Sequence, residues 1–398
     1  MTSATASSLR EANLSRALRC LHANPALTRA DLTAALQVSR TTAAQVVGDL
    51  VAAGLLEEHP AAPGGRRGRP TSELRFGPSS PVALAAEIGP AGMRVATIGL
   101  GRVVSDVVVL PVGGQPQESV RRLGEVLAGR CAALDGRVLG VGVALFGLVD
   151  RRGDVVLAPN LGWRDVPLAG LLTEALPPGV PVTVRNDASA AALYEARYGA
   201  GRDAGDVLYL YAGAGVGGGL TRRGHLVPGR EGLAGEVGHM LVNPSTGRSC
   251  RCGRVGCWET EVNERALRDR WSGAPAGTDD AAAARAVLAA AGRGDRGARQ
   301  AVADTARWFA EGLGSLLNVL DPERVVLAGL FADLLRAEPT LVATVATTRR
   351  LARSGALEEL VTTSTFGDRA SLLGAGEHVI EPLLASGAPT SLGARLPS

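Results

Sequence analysis

GLAGEVGHMLVNPSTGRSCRCGRVGCWE, residues 232–259, concentrates most of the coordinating chemistry of the chain. The spacing His239-x10-Cys250-x-Cys252-x4-Cys257 supplies one imidazole and three thiols, a closed tetrahedral donor set suited to structural Zn²⁺. Gly253 and Gly256 let the backbone turn tightly around an ion, and Arg248, Arg251 and Arg254 offset thiolate charge. Reduced buried cysteines are the competing reading, but three thiols in eight residues are too close for ordinary core positions. The other two cysteines, Cys20 and Cys131, add no disulfide framework. The N-terminal MTSATASSLREANLSR lacks an apolar signal core, and no run long and apolar enough to span a membrane appears. The expected compartment is the reducing cytoplasm, with no membrane partner.

The length, 398 residues, is enough for two or three domains. With 46% hydrophobic and 20% charged residues, the chain is globular in composition. It contains no lysine, so all 42 basic residues are arginine. A Walker A loop, a Schiff base and the strand lysine of protein kinases are thereby excluded. The net charge of +3 lies wholly in residues 1–80, where nine arginines face six acids. Residues 81–398 are neutral overall. A basic leading segment points to a polyanionic partner.

That segment has the pattern of a reading head. Leu9, Leu14, Leu18 and Leu21 recur near one helical face. Thr28-Arg-Ala-Asp31 has the form of a capping box opening a second helix. Ser39 is a natural N-cap for a third helix, Arg40–Ala53, stopped by Gly54. Strands at 55–58 and 72–76 flank the basic loop AAPGGRRGRP, the outline of a wing. The third helix would present Arg40, Thr41, Thr42 and Gln45 to the major groove of DNA. Arg66, Arg67 and Arg69 of the wing would reach phosphates or a narrow minor groove. A small helical interaction domain with a basic linker is the alternative.

From residue 81 the pattern alternates strands and helices, an α/β texture with mixed sheets. Asn186-Asp187 follow an apolar strand and open an alanine-rich helix, where α/β folds place ligand groups. A plain helix cap is the competing reading. Glu236, His239 and Glu259 are acceptors of the kind a buried polyhydroxylated ligand needs. The run Gly213–Gly219 could cradle phosphates or form a tight β-turn.

Together, APNLGW (158–163), VRNDASAAALYE (184–195), GAGVGGGL (213–220), GLAGEVGHM (232–240) and CRCGRVGCWE (250–259) resemble the ROK family of sugar kinases and sugar-responsive repressors. The resemblance runs from about residue 82 to 385, and the winged helix ahead of it resembles the repressor branch. It implies an α/β, actin/hexokinase-like domain of two lobes over residues 81–398, with sugar in the cleft between them. An α+β winged helix-turn-helix domain over residues 1–80 precedes it. Asn160, Asn186, Asp187, Glu236, His239 and Glu259 match the family's sugar-contacting positions. Asp187 matches the kinase base, and His239, Cys250, Cys252 and Cys257 match the zinc ligands.

One departure separates the two branches. Kinase members open this domain with Asp-x-Gly-Gly-Thr, which serves the Mg²⁺ and phosphates of ATP. Here the segment reads Glu87-Ile-Gly89-Pro90-Ala91. Proline removes a backbone N–H, and Ala91 lacks the hydroxyl. The later strand likewise carries Ala328-Gly329 where the family has a glycine pair. The expectation is a DNA-binding regulator, a repressor, that senses sugar through a degenerate kinase domain without catalysis or bound ATP/Mg²⁺. It would bind double-stranded operator DNA as a homodimer or homotetramer. An active sugar kinase with an accessory DNA-binding domain is the alternative.

Overall fold

The computed structural model describes residues 6–60, 72–275, 277–338, 340–348 and 357–387. Arg66, Arg67 and Arg69 lie outside these. The chain begins with α1 (Ala6–Ala23), β1 (Leu27–Thr28), α2 (Arg29–Leu36), α3 (Arg40–Ala52), β2 (Leu56–Pro60) and β3 (Ser72–Phe76). Then come β4 (Val82–Gly89), β5 (Gly92–Gly99), β6 (Val103–Leu110), α4 (Pro116–Ala133), β7 (Val138–Leu145), β8 (Leu148–Val149), β9 (Val155–Ala158) and β10 (Trp163–Val166). They continue through α5 (Leu168–Ala175), β11 (Val182–Asn186), α6 (Asp187–Tyr198), β12 (Asp206–Ala212), β13 (Val216–Arg222) and β14 (His225–Leu226). The remainder is α7 (Trp258–Val262), α8 (Glu264–Asp269), α9 (Asp280–Gly292), α10 (Arg296–Leu320), β15 (Arg324–Gly329), α11 (Leu330–Ala337), α12 (Leu341–Thr348), α13 (Leu357–Leu360), β16 (Val361–Thr363) and α14 (Ala370–Ser386).

Two compact units form. The first comprises Met1–Val143, Pro167–Val184 and Ala375–Ser398; the second comprises Ala144–Val166 and Arg185–Gly374. Each carries a five-stranded sheet, ordered β11-β7-β4-β5-β6 in the first and β14-β13-β12-β15-β16 in the second.

In the first unit, the helix-turn-helix is set by local chemistry. Thr28 caps α2 by accepting from Asp31 N at 3.2 Å, and Asp31 accepts in return from Thr28 N at 2.9 Å. Hydrogen bonds from Thr28 hold the Asp31 carboxyl below its ordinary range. Gln37 takes a left-handed φ of 53° to end α2, and Ser39 caps α3 through Thr42 N at 3.1 Å. Leu14, Leu18 and Leu21 of α1 are buried as their spacing requires, whereas Leu9 is exposed. A short strand that the sequence pattern did not reveal, β1, pairs with β3, so the β2–β3 hairpin becomes a three-stranded sheet in the order β1-β3-β2.

The core of the second unit rests on α10. Its buried residues Ala298, Ala301, Val302, Thr305, Phe309, Gly312, Leu313 and Leu316 recur at three- and four-residue intervals along one face. Against them lie Trp258 and Phe331, stacked with centroids 5.3 Å apart. Gly312 makes that approach possible, because a Cβ there would stand 2.1 Å from the Trp258 ring. Trp258 also donates from Nε1 to the Trp308 carbonyl at 2.9 Å, so its one polar atom is satisfied in the core.

Candidate functional site: a carboxylate-lined cavity beside a thiol cluster

The glycine run divides between two jobs. Gly213, Ala214 and Gly215 form the hairpin turn that joins β12 to β13, with Ala212 opposite Val216. Gly217, Gly218 and Gly219 lie inside β13, alternating between its faces. A Cβ on Gly217 would sit 2.9 Å from Ala188 Cβ, and one on Gly219 would sit 2.5 Å from Ala192 Cβ. The run therefore lets alanine-rich α6 lie directly on the sheet. Gly218 faces the other way, where a Cβ would meet Val237 at 2.9 Å. Of the two readings open from sequence, turn and strand account for every glycine of the run.

Seating α6 this way places its first residue, Asp187, at the rim of a cavity of about 550 Å³ within the second unit. Asn160, Asn186, Asp187, Glu236, His239 and Glu259 all line it. Residues far apart in sequence thus converge from the β9–β10 turn, the α6 N-terminus, the turn before Met240 and α7. Asn186 already has local work: its Oδ1 accepts from Ser189 N at 2.9 Å, and its Nδ2 donates to the Gly147 carbonyl at 3.0 Å. It caps α6 and fixes the Gly147 backbone, so its amide orients the rim. Burial, reinforced by the charge of Glu259, pushes the Glu236 carboxyl up to about 7.

Several lining residues carry no signal in the sequence. Phe146, Asn263, Thr260 and Arg265 enter the cavity only through the fold. Gly215 is the most telling of the positions missed. A Cβ there would lie 3.1 Å from Glu259 Oε2 and 3.2 Å from Phe146 Cζ. Its missing side chain leaves the Glu259 carboxylate open to the cavity.

The thiol cluster adjoins this cavity through His239, Cys252 and Glu259. One ligand atom from each of His239, Cys250, Cys252 and Cys257 lies within 4.8 Å of all the others. Cys252 Sγ and Cys257 Sγ are 3.6 Å apart, and Cys250 Sγ is 3.6 Å from His239 Nδ1. A tetrahedron with Zn–S bonds of 2.3 Å has edges of about 3.8 Å, so the set fits a single Zn²⁺. Cys250 N donates to the Arg254 carbonyl at 2.7 Å, and Gly253 and Gly256 take φ of 90° and 77°, conformations that suit glycine. Trp258, next to Cys257, anchors the loop in the core. Arg248 pairs with Asp269 at 3.1 Å.

At the N-terminal head, Arg40, Thr41 and Gln45 are exposed along α3. Thr42 is half-buried, and its hydroxyl sits 2.9 Å from that of Ser39, so it serves the cap. The segment Glu87–Ala91 ends β4 in a two-residue hairpin turn at Pro90-Ala91, with Gly89 opposite Gly92. Glu87 forms an ion pair with Arg94 on the neighbouring strand.

The described residues form a mixed α/β domain preceded by a helix-turn-helix with a three-stranded sheet. The ROK family model matches residues 115–381, and the chain belongs to the ROK family. A MarR family model matches residues 15–67. The xylose repressor of Caldicellulosiruptor bescii is 33% identical over 216 residues, 50% of this chain and 52% of that protein. The chain thus spans about half the length of that curated relative. Among solved structures, a ROK family transcriptional regulator, a homologue of E. coli MLC, superposes with TM-score 0.72 over 96% of this chain and 98% of that one, at 24% identity. A ROK glucokinase from Streptomyces griseus, in complex with glucose and AMPPNP, superposes with TM-score 0.62 at 28% identity, over 75% of this chain and 98% of that one. No helix among the described residues is long and apolar enough to cross a membrane.

Proposed function

We propose that this protein is a transcriptional repressor of sugar metabolism whose affinity for operator DNA is set by a sugar bound in the carboxylate-lined cavity. The observation that carries this reading is the joining of a MarR-type winged helix and a ROK domain in one chain. The similarity to a curated xylose repressor supports it. Residues 1–80 read DNA through Arg40, Thr41 and Gln45 of α3 and through Arg66, Arg67 and Arg69 of the wing. Residues 81–398 sense the sugar through Asn160, Asp187, Glu236, His239 and Glu259. Asn160, Asp187 and Glu259 can accept hydrogen bonds from hydroxyls, and a metal-bound His239 would donate one through its other ring nitrogen, an array that a polyol matches. His239, Cys250, Cys252 and Cys257 hold a structural Zn²⁺. With Nδ1 on the metal, the other imidazole nitrogen would remain for a sugar hydroxyl, so the metal would stiffen one wall of the pocket. The protein works in the cytoplasm as a homo-oligomer on a two-fold operator.

The alternative, an active sugar kinase, is weakened by the turn at Pro90-Ala91. Phosphoryl transfer depends on donors and Mg²⁺ ligands placed around the phosphates. A proline contributes no N–H, and Glu87 is engaged with Arg94. The test is a thermal-shift screen of sugars, followed by operator binding with and without the hit. A sugar that raises the melting temperature and changes operator affinity supports the repressor. Turnover of ATP with any sugar at about 1 s⁻¹ or faster overturns it in favour of the kinase.

A further inference from the structure

Helices α9, α10 and α11 each turn one stripe toward a common groove of about 880 Å³. α9 brings Arg285 and Leu288, α10 brings Arg296, Arg299 and Ala303, and α11 brings Asp333 and Arg336. Steps of three and four residues keep each set on one helical face. The groove lies within the second unit and shares none of its lining residues with the carboxylate-lined cavity.

Its charges do not cancel. Four guanidinium groups meet two carboxylates, Asp333 and Glu338, and both carboxylates are already engaged. Asp333 forms an ion pair with Arg336. Glu338 Oε1 accepts from Thr340 N at 3.4 Å and from Thr340 Oγ1 at 2.5 Å. Asp295, in the turn between α9 and α10, accepts from Trp271 Nε1 at 3.0 Å and from Ala298 N at 2.7 Å. Among the described residues, Arg285, Arg296 and Arg299 enter no ion pair. Arg299 Nε donates to the Ala291 carbonyl at 3.2 Å, which anchors its fork beside the end of α9. Like charges one turn apart on a helix repel, so Arg296 and Arg299 destabilise α10 until an anion lies between them. The lining is also partly apolar, through Leu288 and the buried Val302. Gly292 leaves the end of α9 open, since a Cβ there would meet nothing within 4 Å.

We propose that this groove is a second ligand site, for a small organic phosphate. Guanidinium forks bind phosphate oxygens in pairs, and the apolar lining takes a carbon skeleton that a bare ion lacks. The volume falls in the range of small-molecule sites, on the order of 300–1,000 Å³. A macromolecule would instead use a broad face, ~800 Å² per partner. α9 begins at Asp280, which lines the carboxylate-lined cavity, and carries Arg285 further along, so the two sites share a helix. The inference goes beyond the repressor reading and stands without it.

Titration calorimetry of the full chain tests it. The probes are 3-phosphoglycerate, glucose 6-phosphate and fructose 1,6-bisphosphate, with inorganic phosphate and glucose as controls. At least one organic phosphate should bind with a Kd of about 1 mM or below, at least ~10-fold tighter than inorganic phosphate. Arg296→Gln with Arg299→Gln should weaken that binding about 10- to 100-fold. Arg296→Glu alone keeps the Arg299 bond to Ala291 and should weaken it by a similar factor, giving a second variant if the double one misfolds. Absence of binding by every organic probe overturns the proposal, as does binding no tighter than that of inorganic phosphate. Binding that survives both arginine changes also overturns it, because the ligand then sits elsewhere. If no organic phosphate binds and the arginine variants lose operator affinity, the groove serves the DNA backbone instead. Neither sugar response nor operator binding enters the supporting result, so failure of the repressor reading would leave it intact.

Discussion

His22 Nε2 and Glu377 Oε2 lie 3.0 Å apart, fully buried, and join the first helix of the chain to the last across 355 positions of sequence. Gly101 N–H points at Nδ1, so that nitrogen carries no proton and Nε2–H donates to the carboxylate. Arg19 extends the contact to Glu381 at 2.6 Å, and Ser15 Oγ donates to the Leu384 carbonyl at 2.7 Å. Helix α1 of the reading head is thereby laid along α14 within the first unit.

Glu377→Ala leaves the imidazole donor buried without this acceptor. A loss of about 1–3 kcal/mol in stability is expected, with faster amide exchange in α1. Denaturant unfolding and hydrogen exchange check it; unchanged protection in α1 would show that the pair does not hold the head. Arg19→Ala, on a more exposed pair, should lose less.

Removing one thiol should expose the metal. Cys252→Ser is expected to lower bound zinc from about one per chain toward none and to reduce the melting temperature. Elemental analysis of the parent protein is the decisive measurement, since an absence of zinc there would leave the cluster as plain reduced thiols.

Asp187→Asn removes a charged acceptor at the cavity rim. Sugar affinity should fall about 10- to 100-fold, the loss of one hydrogen bond to a charged group, with operator affinity of the sugar-free protein unchanged. Titration calorimetry with the screened sugar reads it. Equal affinity in parent and variant would restrict Asp187 to the first turn of α6.

Gly215→Ala places a methyl against Glu259 and Phe146, two residues that line the cavity. Its φ is not left-handed, so the backbone accepts alanine without strain. Weaker sugar binding with a nearly unchanged melting temperature is expected. A large fall in stability with affinity intact would instead assign Gly215 to the β12–β13 turn.

Glu264 offers a pH test clear of the thiol cluster. Burial, opposed by Arg285 and reinforced by the charges of Asp280, Asp279 and Asp368, pushes its carboxyl up to about 7. The native chain then holds a proton that the unfolded chain has released above about pH 4.5. Its contribution to stability should accordingly fall as pH rises from about 4.5 through about 7. Denaturant unfolding across that range should show the slope, and Glu264→Gln should flatten it.

Much was legible in the sequence because it is local. The capping box Thr28–Asp31, the N-cap Ser39, the stripe of α1 and the spacing of Cys250, Cys252 and Cys257 all act over a few residues, where chain geometry leaves few choices. The motifs also placed six cavity residues that the fold brings together. Other assignments depended on neighbours distant in sequence. Whether Gly213–Gly219 cradles a ligand or admits a helix depends on α6 lying over β13. Nothing near His22 announces Glu377, and nothing in VVSDVVVL says that it ends a sheet. Sequence alone determined which chemical groups are present and which local elements they form. Tertiary structure decided which groups share a cavity and which edge stays open, because burial and close approach belong to surfaces that exist only once distant segments have packed.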